Sequence, residues 1–78
     1  MLSPDQIKQL IQAALPDAAV EVASDDGVHF AACVAASAFA GKSVVAQHRL
    51  VYDALGGRMG NEIHALSLRT KAPETAQH

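Results

Sequence analysis

The stretch AVEVASDDGVHFAACVA, residues 19–35, restricts what this chain can fold into more than any other feature. Val20 and Val22 alternate with Glu21, and Val28, Phe30, Ala32 and Val34 alternate with His29, Ala31 and Cys33. That two-residue period is the pattern of strands buried on one side only. Between the runs lies SDDG, whose residue types favour a tight turn. The segment therefore reads as a β-hairpin with His29 just past the turn, on the side expected to meet solvent. A lone hairpin is marginal in water, so other elements must cover its apolar face.

Two helical segments can supply that cover. Ser3 is placed to cap, Pro4 suits a first helical position, and Gln6 completes a capping box. Ile7, Leu10, Ile11 and Ala14 then recur at helical spacing, and the helix is expected to stop before Pro16. After SAFAGKS, read as a connector, Ser43 can cap a second helix with Val44, His48, Val51, Tyr52 and Leu55 along a common side. It is predicted to run to about Met59, with Gly60 and Asn61 as its stop, although Gly56 and Gly57 weaken its last turns by about 1 kcal/mol each. A last strand over about 62–70 sets His64, Leu66 and Leu68 on one face and Ile63, Ala65 and Ser67 on the other. The order is helix, strand, strand, helix, strand. It predicts an α+β domain over residues 1–72, a three-stranded sheet with both helices on one face, and a polar tail at 73–78.

A chain of 78 residues buries only about 60% of the surface it exposes when unfolded. With Phe30, Phe39 and Tyr52 as its only aromatics, small aliphatic side chains must fill the core. Six basic against eight acidic residues give a net charge of −2, which exerts no global pull toward nucleic acid or an anionic membrane. A single cysteine, Cys33, permits no internal disulfide and suits a reducing compartment. MLSPDQIKQL lacks the basic start and apolar run of a signal peptide, and no segment approaches the roughly 20 apolar residues that span a bilayer. The expectation is a cytoplasmic protein without membrane contact.

The residues able to carry chemistry are four histidines and Cys33. The carboxylates are scattered, and no nucleophile, base and orienting group recur at a recognisable spacing, so neither an enzyme nor a catalytic residue is indicated. Cys33, mid-strand among alanines, reads as a small structural thiol, and His48, beside Arg49 on the helix stripe, as a hydrogen-bonded structural residue. His78 ends the tail. His64 stands at the start of the last strand, where structural and ligand roles both stay open. His29 begins a neighbouring strand, and if the two strand ends converge, both rings can face one ligand. GRMG, residues 57–60, matches the G-x-x-G loop with which KH domains clamp a nucleic-acid backbone, and equally reads as a helix terminus.

Phe39-x-Gly41, QHRLVY at 47–52 and IHALSL at 63–68, in that order and at these separations, resemble the BolA family, most closely its short bacterial members. The resemblance covers about residues 20–70. It implies a class II KH-like α+β fold, and proteins that pair with monothiol glutaredoxins of the CGFS type and share a two-iron two-sulfur cluster with them. It further implies roles in cluster trafficking, iron or redox sensing and stress response. The family's histidine in the IHAL motif is the usual cluster ligand, and that position is His64. A second ligand generally lies in the hairpin loop, before the aromatic matched by Phe30. The nearest donor here is His29, directly beside Phe30, for which a surface histidine is the alternative reading. The tail lacks the aromatic residue that often follows the family's Pro-Glu.

A two-iron cluster is normally held by four cysteine ligands, which one cysteine cannot provide. The resemblance implies that the glutaredoxin cysteine and glutathione supply the sulfur donors, with His64 and His29 as the metal-ligand candidates on this chain. The competing class is a nucleic-acid-binding transcriptional regulator that contacts DNA through Lys42, Arg49, Arg58, Arg69 and Lys71, and a third is a metal-free glutaredoxin adaptor. The free form is expected to be a monomer or weak homodimer.

Overall fold

The structure is a computed structural model and describes residues 2–58 and 65–73. Helix α1 spans Pro4–Ala14, strands β1 and β2 span Ala19–Ala23 and His29–Ala35, and helix α2 spans Val44–Leu55. Short 3-10 turns occupy Ser37–Phe39 and Gly56–Arg58, and strand β3 spans Ala65–Lys71. The capping box forms as its residue types dictate: Ser3 Oγ accepts from the Gln6 N–H at 3.2 Å, and the Ser3 N–H donates to Gln6 Oε1 at 2.8 Å.

The sheet order is β1-β2-β3. β1 and β2 are antiparallel, with Val20 opposite Val34 and Glu21 opposite Cys33. β2 and β3 are parallel, with His29 opposite Ala65 and Ala35 opposite Lys71. A parallel pair cannot be joined by a tight turn, and α2 makes the crossover. The result is the expected α+β architecture of two helices and a mixed three-stranded sheet, with α1 packed on β1, α2 on β3, and the helices on each other.

The core lies between the helices and one sheet face. Ile7 and Ile11 of α1, Val34 of β2, and Val51 and Leu55 of α2 are wholly buried, and Val20 and Phe30 nearly so. Each such side chain contributes about 1.5–3 kcal/mol by leaving water. Phe39 is also wholly buried. The segment read as a connector therefore carries a core aromatic on a 3-10 turn.

Three expectations need correction. First, the apolar stripe read along α2 is only partly its inward face: Val51 and Leu55 are buried as expected, but Val44 and Tyr52 are exposed. That face carries Val51 and Leu55, with Leu50 and Gln47 partly buried beside them. Gln47 faces inward because its amide is satisfied there: Nε2 donates to the Lys42 carbonyl at 2.9 Å and the Phe39 carbonyl at 3.3 Å, and Oε1 accepts from Thr70 Oγ1 at 2.7 Å. Hydropathy spacing cannot register a polar residue that packs inward with its partners met. Second, α2 ends at Leu55, short of Met59, because Gly56 adopts a positive φ of 62° and its N–H turns back to the Asp53 and Tyr52 carbonyls. Third, β3 continues to Lys71, where the Lys71 carbonyl accepts from the Ala36 N–H at 3.1 Å. The stop assigned to Gly60 and Asn61, and positions 62–64 of the last strand, lie outside the described residues.

Candidate metal centre at the hairpin end

The turn that begins β2 is organised around one carboxylate. Asp26 Oδ1 accepts from the backbone N–H groups of Val28 at 2.9 Å and His29 at 2.8 Å. Ser24 Oγ accepts from the Gly27 N–H at 2.9 Å and donates to the His29 carbonyl at 2.7 Å. Gly27 has a φ of 74°, in the left-handed region that glycine enters without a Cβ clash. These bonds follow from the residue types in SDDG, since serine and aspartate side chains readily bond backbone groups two or three residues on.

The other carboxylate oxygen, Asp26 Oδ2, lies 2.8 Å from His29 Nδ1. An ionised carboxylate only accepts, so Nδ1 carries the hydrogen, and in the neutral ring Nε2 keeps its lone pair. The imidazole side chain is 70% exposed. Asp26 is held well below the usual carboxylate range, first by the hydrogen bond from the His29 ring and then by the backbone N–H groups of His29 and Val28. A carboxylate on one ring nitrogen and an open position on the other is how metal-binding histidines are commonly oriented.

His29 thus sits where the hairpin reading placed it, on the solvent side at the start of its strand. His64 lies outside the described residues, as does His78. Ala65, the residue after His64 in the chain, pairs with His29 in the parallel ladder, so the starts of β2 and β3 are side by side. Cys33 shares the face of His29 but lies four residues along the strand, roughly 13 Å away, too far to join it at one ion. His48 packs edge-on against Tyr52 with ring centroids 6.4 Å apart, a ring contact in place of the hydrogen bond expected of it. Among the described residues no three His, Cys, Asp or Glu side chains group as a metal site. Sequence reasoning missed Asp26; an aspartate three residues before a histidine across a glycine turn was the signal available.

Among the described basic side chains, Arg69 and Lys71 are exposed on the sheet face of β3 that lies away from the helices, and Lys8, Lys42 and Arg49 are exposed outside the sheet. Among the described residues, no helix is long and apolar enough to cross a membrane.

A family model described as BolA-like protein matches residues 13–75, and the chain belongs to that family. Among solved structures, a bolA protein homologue from Coxiella burnetii is 41% identical, with full coverage of both chains and a TM-score of 0.78. The BolA domain of SufE1 from Arabidopsis thaliana is 32% identical over 96% of this chain and 99% of that one, with a TM-score of 0.75. BolA-like protein 1 of Mus musculus is 30% identical, covering 86% of this chain and 56% of its own length. SufE-like protein 1, chloroplastic/mitochondrial, of Arabidopsis thaliana is 46% identical over 52 residues, covering 65% of this chain and only 14% of that protein. This chain therefore matches a part of those longer relatives.

Proposed function

We propose that this chain partners a monothiol glutaredoxin of the CGFS type and shares a two-iron two-sulfur cluster with it, in iron-sulfur trafficking or iron and redox sensing. The observation that carries the reading is the pairing at the sheet end. Asp26 holds Nδ1 of His29 and leaves Nε2 for a metal, while the ladder partner of His29 is the chain neighbour of His64. On this reading His64 is the principal ligand and His29 the second.

The donor set fits. Two neutral imidazoles on this chain leave the sulfur positions to the glutaredoxin cysteine and glutathione, and Cys33 is remote from the site. When bound, the cluster supplies one-electron chemistry, with a potential raised where imidazole replaces thiolate. Asp26 fixes the His29 tautomer and ring orientation before any partner arrives. Binding of DNA has less support, because the net charge is −2 and no stacking cluster of aromatics accompanies the basic residues.

The test mixes the purified protein with cluster-loaded CGFS glutaredoxin and follows visible circular dichroism. A new spectrum is expected, lost in His64→Ala and altered in His29→Ala. An unchanged spectrum in both variants removes the two histidines from the ligand set.

A further inference from the structure

The helices cover one face of the sheet, and among the described residues no element packs on the other. The middle strand presents Ala31, Cys33 and Ala35 there, so the centre of the face is low and smooth, and a shallow depression of about 380 Å³ lies over Cys33 between Glu21 and Arg69. The register places Glu21, Cys33 and Arg69 in one row across the three strands, an acid on one edge and a base on the other. Both charged side chains are exposed, and among the described residues neither has an ion partner.

We propose that this bare face is where two copies of the chain meet, related by a two-fold axis that runs parallel to β2 above Cys33. Rotation about that axis exchanges the edges. Glu21 of each copy comes opposite Arg69 of the other, and Cys33 comes opposite Cys33. A two-fold axis across the strands would instead stack Glu21 on Glu21 and Arg69 on Arg69, so electrostatics selects the first arrangement. A two-fold interface requires self-complementarity, and an acid and a base equidistant from a small central residue provide it.

Three strands about 4.8 Å apart and roughly 20 Å long offer on the order of 600 Å² counted over both copies. That is below the range of stable complexes, so the dimer is weak and populates at high protein concentration. The proposal does not depend on the metal reading, since it uses neither His29 nor His64.

Sedimentation velocity of the full chain, from micromolar to millimolar concentration and at low and high salt, tests it. Self-association that weakens with salt is expected. Glu21→Arg and Arg69→Glu should each reduce it about tenfold, because two attractive contacts become repulsive. An equimolar mixture of the two variants should restore it, since the mixed pair again sets arginine against glutamate at both contacts. A monomer throughout, association indifferent to both reversals, or a mixture that fails to recover each overturns the proposal. Protection of the Cys33 thiol from alkylation only when glutaredoxin is added would assign the face to that partner and overturn it too. Both substitutions are at exposed positions, and circular dichroism of each variant checks that the fold is retained.

Discussion

Successive residues of the same three strands go to opposite faces of the sheet, and the two faces have opposite characters. The covered face carries Val20, Phe30 and Val34, all closed off by α1, α2 and the Phe39 turn. The bare face carries His29, Glu21 and Arg69 in water, with alanines and Cys33 between them. One face is selected by what it excludes, the other by what it can hold, and an alternation of period two lets a short chain do both. The lesson is that burial and exposure are set here residue by residue, not element by element.

The largest effect should come from the covered face. Phe39→Ala removes a wholly buried aromatic and is expected to cost about 3–5 kcal/mol, most of what so small a domain has, whereas Ala31→Ser on the bare face should change stability by less than about 0.5 kcal/mol. Urea melts of the two variants measure the contrast, and similar midpoints would break it. The next effect lies in cluster binding alone. Asp26→Asn can no longer hold the His29 tautomer as an ionised acceptor, and on the proposed function should weaken retention of the cluster by roughly 10–100-fold while the apo fold persists, as visible absorbance against competing chelator would show. Acidification should also release the cluster, because imidazole binds metal only unprotonated; a titration of the holo-complex with no loss of signal would count against histidine ligation.

The smallest effect concerns stability against pH. Asp17 is lowered from its ordinary value chiefly by the Ser37 hydroxyl, then by the Ser37 backbone N–H, which donates at 3.2 Å. Asp26 is lowered more strongly. A carboxylate depressed in the folded state binds fewer protons there than in the unfolded chain. Its contribution is present in full above the unfolded value, near pH 4, and is lost as the pH falls through the folded one. Both groups are open to solvent, so the loss is small. Thermal melts should show a modest decline on acidification below about pH 4, and Ser37→Ala should reduce the part due to Asp17.

Much of this was legible locally. The hairpin, the capping box and the solvent side for His29 depend on residues within a few positions of one another. The inward face of α2 was only partly legible: Val51 and Leu55 were read from their spacing, but Gln47 faces inward to partners as far away in the chain as Thr70. The early end of α2 was half legible: Gly56 was recognised as a weak point, yet only the folded backbone places it at a positive φ. At the candidate site the sequence pointed to His29 and His64 but not to Asp26, whose role depends on the geometry of a closed turn.

Strand period, turn chemistry and helix start were determined by the sequence alone, since each follows from local sterics and short hydrogen bonds. Which strand lies beside which was decided only by the tertiary structure. β3 pairs with β2 and runs parallel to it, and that choice sets Ala65 against His29 and lines up Glu21, Cys33 and Arg69. The reason is physical: ladder partners far apart in the chain are selected by the burial of a shared core, and no local pattern encodes that sum.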